Sequence, residues 1–259
     1  MHIIKELSVF NNIKFYEKEH TYYIGEEKLT SATSLIGKFK QPFDVEYWAD
    51  RKAKERGITV EEIKAEWDLK KDFACEKGSA LHAFVESYLF NKIFDFPEER
   101  VKSILKKDEL VEDCRMKVEK LKDLFDKFYK DSYGKLIPVR AELVVGDSEL
   151  GIGGMVDQLF FNEKSGKLEI WDWKTNKEIK KKNKWQRFKE PLSHLDICEL
   201  NTYSLQLSLY KYIITKNTNL ELGDCYIVWL NEENDDYHIF KCYNFEKEIK
   251  EIIEFTKNS

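Results

Sequence analysis

The chain has no apolar run near the roughly 20 residues that span a bilayer. Its opening, MHIIKELSVF, lacks the succession of a secretory signal. A cytoplasmic protein without a membrane partner is therefore expected. Paired cysteines are also missing. Cys75, Cys114, Cys198, Cys225 and Cys242 are scattered and none forms a C-x-x-C unit, which argues against a zinc ribbon and most iron–sulfur clusters. An odd number of thiols in such a compartment points to reduced, structural cysteines. There is no positive excess either: the net charge is −5, so nothing draws the whole molecule to nucleic acid. A DNA-binding chain with this balance must concentrate its cations locally. Internal repeats and low-complexity tracts are absent. So is the G-x-x-x-x-G-K-[ST] loop, so any helicase acting with this chain would be a separate protein.

What is present describes a folded, well-solvated protein. Of 259 residues, 42% are hydrophobic, 14% aromatic and 35% charged, with apolar residues spread evenly among the charges. That length fits one large domain, or one with a helical insertion. NIKFYEKEHTYYIGEEKLT alternates short apolar runs with polar turns and reads as a hairpin or small meander. SATSLIGKFK reads as a short capped helix. Residues 44–56 read as a helix ended by Gly57, and Thr59 with Glu62 forms a capping box for the next. That next helix is expected over 60–92 with a break near Gly78, followed by one long charged helix over 98–133. After Gly134 the period changes. PVRAELVVG, GIGGMVDQLFF and KLEIWDWKT are successive strands, with turns expected at Gly146–Asp147 and Ser165–Gly166. A basic linker, a helix near 202–216, strands at DCYIVWL and YHIFKC, and a helix from about 245 complete the order. The fold class is α/β, a central sheet flanked by helices, with a helical N-terminal half and a small N-terminal hairpin.

Chemistry concentrates on the second and third of those strands. Side chains alternate along a strand, so Asp172 and Lys174 leave the same face. A buried salt bridge would look the same, and D-x-K is common by chance. The strand before it ends in Gly153-Gly154-Met155-Val156-Asp157. A short hairpin joins the two strands, so Asp157 and Asp172 can meet at one end of the sheet. Two carboxylates that close repel unless a cation lies between them. Magnesium suits one or two carboxylates plus a substrate phosphate, and Lys174 could then orient a water and stabilise developing charge. The glycines before Asp157 permit close backbone approach, by DNA or through a bulge. From Lys174 to Lys189 the segment KTNKEIKKKNKWQRFK carries eight basic residues and one acidic residue, Glu178. It is either a solvated face or a phosphate-binding stretch formed by Lys177, Lys180, Lys181, Lys182, Lys184, Arg187 and Lys189.

Four elements in order then resemble the RecB-like branch of the PD-(D/E)XK nucleases. They are Gly78-x-x-x-His82-x-x-x-Glu86, Gly154-x-x-Asp157, Asp172-x-Lys174-Thr175 and Gln206-x-x-x-Tyr210, spread over about residues 75–230. Members of that branch include nuclease domains of recombination helicases, the mitochondrial genome maintenance exonuclease and CRISPR-adaptation nucleases. The hairpin-first layout is similar to phage-encoded members, which suggests a bacterial or phage-infected host. The resemblance implies a restriction-endonuclease-like core with a mixed sheet, as a single nuclease domain over 1–259. Residues 1–74 would form the N-terminal hairpin and helices, and 75–259 the core, with 98–133 as its insertion. It also implies that His82, Asp157, Asp172 and the Trp173 carbonyl ligate Mg or Mn, with Lys174 as the catalytic lysine. Glu86 would act through water or orient His82, Gln206 and Tyr210 would support the site, and Glu142 could add a carboxylate at the metal's edge or end a salt bridge. Several relatives carry four cysteines for an iron–sulfur cluster. Only Cys225 and Cys242 lie near this C-terminus, too far apart for that pattern, so no cluster is expected. The activity implied is an exonuclease for recombination, repair or replication, favouring single-stranded or frayed DNA ends and working beside separate helicase or recombination proteins. A structure- or sequence-specific endonuclease fits the same residues. A DNA-binding or inhibitor protein that has lost catalysis would have no need of the ligand set.

Overall fold

A computed structural model describes residues 2–17 and 19–257. The chain opens with α1 (His2–Leu7), a 3-10 turn (Ser8–Asn12) and the meander β1 (Ile13–Tyr16), β2 (Thr21–Ile24) and β3 (Glu27–Ser31). Five helices follow: α2 (Ala32–Lys38), α3 (Val45–Arg56), α4 (Val60–Leu89), α5 (Glu98–Leu105) and α6 (Asp108–Ser132). Then come β4 (Leu136–Asp147), β5 (Ile152–Asn162), β6 (Lys167–Lys174), α7 (Glu199–Asn217), β7 (Leu222–Trp229), β8 (His238–Lys241) and α8 (Glu246–Lys257). The architecture is the expected mixed sheet flanked by helices. The N-terminal strands form the expected small meander. β3 joins the main sheet beside β5, in parallel, through Thr30–Ile152 and Ser31–Gly153.

Local chemistry sets the helix ends. Ser31 caps α2 by accepting from the Ser34 amide at 3.1 Å. Asp44 caps α3 by accepting from the Tyr47 amide at 2.9 Å, and Gly57 ends that helix at φ 67°. Thr59 and Glu62 make the reciprocal capping box of α4, at 3.2 and 2.8 Å.

Three expectations need correction. α4 runs unbroken through Gly78, because a helical glycine costs only about 1 kcal/mol and keeps its amide hydrogen bond. A Cβ there would stand 3.6 Å from Thr175 Oγ1, an ordinary contact. The stretch 98–133 is two helices. Lys106 turns left-handed at φ 57°, donates to the Lys102 carbonyl at 3.0 Å and ends α5. α6 then restarts with Asp108 and Glu109 in its first turn, where negative charge suits the helix dipole. Finally, β4 continues through Gly146 to Asp147, and the reversal comes at residues 148–151. Asp147 Oδ1 accepts from the Leu150 amide at 2.9 Å there.

Apolar packing covers both faces of the sheet. Leu159, Ile170, Leu205, Leu209, Ile213 and Ile249 belong to the core shared with α7 and α8. Leu81, Val85, Phe125, Phe128, Trp171 and Trp173 belong to the core shared with α4 and α6. Thus β6 sends Leu168 and Ile170 one way and its two tryptophans the other.

One irregularity positions the site. Along one edge β5 pairs with β4; along the other it pairs with β3 only at 152–153 and with β6 only at 158–162. Residues 154–157 sit in the fork between them. Tyr210 of α7 packs its ring into this fork, so close that a Cβ on Gly154 would fall 2.3 Å from Tyr210 Cε1. A Cβ on Gly153 would fall 2.9 Å from Leu29 Cδ1. The close approach that these glycines permit is made by the protein's own side chains.

The two glycines of the motifs should therefore respond oppositely to alanine. Gly154→Ala overpacks a buried ring and should cost about 1–3 kcal/mol. Gly78→Ala should be neutral or stabilising by up to ~1 kcal/mol. Urea unfolding of both variants measures this, and an undiminished Gly154→Ala would contradict the packing of Tyr210 in the fork.

Candidate metal and phosphodiester site

Asp157 ends the forked stretch of β5, and its Oδ2 accepts from the Trp173 amide at 3.1 Å. This side chain-to-backbone bond bridges β5 and β6 just where their ladder stops at Gln158–Trp171. Opposite Asp157 on β4, between the pairs Ala141–Gln158 and Leu143–Val156, lies Glu142. It takes φ 45°, a left-handed conformation costing of order 1 kcal/mol for a residue with a Cβ. Local backbone strain of this kind collects at functional sites.

His82 of α4 completes the group. Its Nδ1 lies 3.5 Å from Glu142 Oε1 and 3.7 Å from Asp157 Oδ2, and its Nε2 lies 3.2 Å from the Trp173 carbonyl. One donor atom each from His82, Glu142 and Asp157 falls within 4.8 Å of the others. Two carboxylates, an imidazole and a nearby carbonyl suit a small hard cation of the magnesium or manganese kind. Burial pulls the His82 imidazole down, but Asp157 and then Glu142 outweigh it and hold it at about 9. A protonated ring offsets one of the two carboxylate charges, and metal binding would release that proton.

Asp172 stands beside this group rather than in it. It is 1% exposed, and its Oδ2 lies 2.5 Å from Lys174 Nζ. Burial pushes its carboxyl up, Asp157 adds to the push, and Lys174 opposes both. Burial pulls the Lys174 ammonium down, but Asp172 and then Asp157 outweigh it and hold it above the usual lysine value. Lys174 is thus a charged donor, its ammonium 4.8 Å from the centre of the Tyr203 ring.

The residues after Lys174 are pinned from several sides. The Lys174 carbonyl accepts from the Leu230 amide at 2.9 Å. The Asn176 carbonyl accepts from Trp229 Nε1 at 2.7 Å and Asn231 Nδ2 at 2.8 Å, and its side-chain oxygen accepts from the Tyr203 hydroxyl at 2.9 Å. Buried Lys77 reaches the Thr175 carbonyl at 3.5 Å and pairs with Glu232 at 2.7 Å. Sequence reasoning named none of Tyr203, Asn176, Lys77 or Glu232. Asn176 follows the motif directly and carried the one available signal. Lys77 and Glu232 are far apart in the chain, and no local pattern joins them.

The other expected residues divide. Gln206 Nε2 donates to the Tyr210 hydroxyl at 2.8 Å, and Tyr210 fills the fork beside Asp157. Tyr22 of β2 is buried near the group; burial, then Glu142 and Asp157, push its hydroxyl up to about 12. Glu86 is not brought to His82, since its carboxylate pairs with Lys92 at 2.6 Å. In the basic segment, Lys180 pairs with Glu178 at 2.8 Å, Arg187 lies 3.9 Å from Asp196, and Lys181 sits 5.1 Å from the Phe240 ring. Among the described residues, Lys177, Lys182, Lys184 and Lys189 have no carboxylate within 4.0 Å, and all four are exposed.

A family model described as the PD-(D/E)XK nuclease superfamily matches residues 54–249, which include every residue of this site except Tyr22. No curated protein matches the chain. A solved structure described as "Crystal structure of SSO0001" is 12% identical over 75% of this chain and 83% of its own, with a TM-score of 0.28.

Metal binding can be read without any reaction. Mg or Mn at a hundredfold excess over its dissociation constant should stabilise the fold by about 2.7 kcal/mol, roughly 5–10 °C in Tm for a chain of this size. Asp157→Ala should abolish the rise. Equal stabilisation of both proteins would show that the group does not hold the metal.

Proposed function

Because the chain belongs to the PD-(D/E)XK nuclease superfamily, we propose that it hydrolyses phosphodiester bonds in DNA as a RecB-like, metal-dependent exonuclease. The observation that carries the reading is the meeting of the His82–Glu142–Asp157 group with the Asp172–Lys174 pair at the fork of the sheet. His82, Asp157 and Glu142, whose donor atoms already meet, would hold the ion with the Trp173 carbonyl, and Asp172 would join them from beside the group. A divalent cation bound there supplies Lewis-acid charge to the scissile phosphate.

The protein's own groups have distinct tasks in this reading. Lys174, kept protonated by its carboxylate neighbours, donates hydrogen bonds to a water or phosphate oxygen as negative charge builds. Asp172 and the Tyr203 ring fix the ammonium, so little reorganisation is needed when the charge develops. Asn176, held by Trp229 and Asn231, fixes the backbone that carries it. Tyr210 and Gln206 keep the fork open and Asp157 in place. Glu86 belongs at most to the outer rim, next to Lys92. The Lys177–Lys189 segment would contact the phosphate backbone. An end-directed activity would serve recombination, repair or replication, with any helicase supplied by another chain.

Two expected outcomes follow. Purified protein with Mg or Mn should degrade end-labelled linear DNA and spare circular single strands. Asp172→Ala and Lys174→Ala should each lower the rate by about three orders of magnitude, as loss of several kcal/mol of transition-state stabilisation requires. Lys174→Ala should keep the metal-induced rise in Tm. Wild-type rates in these variants would refute the site, and cleavage of circles would turn the reading to an endonuclease. Separately, replacing Lys182, Lys184 and Lys189 with Ala should weaken DNA binding and flatten its salt dependence by about 0.7 log unit per lost single-strand phosphate contact. An unchanged slope would make the segment an ordinary solvated surface.

A further inference from the structure

The segment after β6 has no helix or strand of its own, yet its backbone is fixed. The Asn183 side chain donates to the Ile197 carbonyl at 2.8 Å, the Ile197 amide to Gln186 at 2.9 Å, and the Phe188 amide to Leu195 at 3.1 Å. Phe188 is buried beneath it. In the middle stands Trp185, whose amide donates to Asn183 Oδ1 at 3.0 Å and whose side chain is 91% exposed. Of the other tryptophans, Trp48 at 38% is the most exposed. An ordered loop therefore holds the chain's largest uncovered ring in water.

A lone exposed aromatic is ordinary. The cationic company of this one is not. Exposed Lys184 precedes it directly, and exposed Lys189 follows, its amide bonded to the Phe39 carbonyl at 2.7 Å. Lys40, the next residue after Phe39, sits 6.0 Å from the Phe188 ring. Three residues beyond Lys40, exposed Phe43 stacks on exposed Trp48 with ring centres 6.4 Å apart, and the Arg51 guanidinium lies 5.2 Å from the Trp48 ring. Cations alternating with accessible rings match a strand that offers phosphates and unstacked bases together.

We propose that Trp185 stacks on an unpaired base of single-stranded DNA whose phosphates pass Lys184 and Lys189. This deepens the nuclease reading and rests on it for the choice of DNA. Duplex DNA keeps its bases inside its own stack and offers the ring no face, so the platform selects single strands or frayed ends. Base–aromatic stacking is indifferent to sequence because every base has a π face. The selection is by strandedness alone.

Binding measured in EDTA, where nothing can be cut, tests this apart from catalysis. The probes are labelled oligothymidylate, an abasic strand of equal length and charge, and a duplex. Wild-type protein should bind oligothymidylate more tightly than the abasic strand. Trp185→Ala should lose about tenfold on oligothymidylate, change little on the other two, and leave the salt slope as it was. Trp185→Phe should recover most of the loss. Unchanged binding of oligothymidylate by Trp185→Ala overturns the proposal, as does an equal loss on the abasic strand or no wild-type preference for bases. A protein that cuts DNA but binds equally well without Trp185 refutes the platform alone. One that cuts nothing in Mg or Mn, yet loses oligothymidylate with Trp185, keeps the platform and refutes the nuclease.

Discussion

Negative charge gathered at one break in a β-sheet is the constraint around which this molecule is arranged. β5 has a neighbour along the whole of one edge but loses its partner on the other between β3 and β6. Asp157 stands in that gap, Glu142 faces it from β4 in a left-handed conformation, and Asp172 lies beside it, buried. Three carboxylates so close need cations, and Lys174 and His82 are the two the chain itself supplies. The remaining features serve that arrangement. Tyr210 fills the fork so that its backbone does not collapse, and glycine at 154 is the residue that leaves room for the ring. α4 packs on one face of the sheet and brings His82 to the carboxylates.

Much of this was legible because it is local. Caps at Asp44 and Thr59, the left-handed end at Gly57 and the alternation around Asp172 and Lys174 are written within a few residues each. The four short motifs from Gly78 to Tyr210, standing in one order, carry the resemblance to the superfamily. What escaped depends on residues distant in sequence. Gly78 does not break α4, because the helix on either side is held by packing that propensity does not see. Lys106 ends α5 without a glycine, and the left-handed turn there leaves Leu105 and Val111 both buried in the cluster with Ala80. The glycines at 153 and 154 are compatible in sequence with an approach by DNA or with a bulge, and in the fold they make room for Leu29 and Tyr210. Glu142 gave no local sign of its left-handed turn, and Glu86 gave none of its attachment to Lys92.

The charge balance of the whole chain makes sense once position is considered. A site that must hold divalent ions needs carboxylates, while its polyanionic substrate is repelled by them. The protein separates the two demands in space. Cations of the helical front half are largely compensated: Lys52 by Glu55, Lys54 by Asp50, Arg56 by Glu66 and Lys64 by Glu46. Those pairs are exposed and contribute little to stability, but they leave small net fields for a phosphate to sense. In the segment after Lys174 the pattern reverses, and five lysines (Lys177, Lys181, Lys182, Lys184 and Lys189) stand without acidic partners among the described residues. A net charge of −5 thus coexists with one local positive track beginning at Lys174. Within a Debye length of about 8 Å at physiological salt, a strand senses that track and not the distant excess of acids. The chain's overall sign therefore says little about its partner; the placement of its uncompensated charges says more.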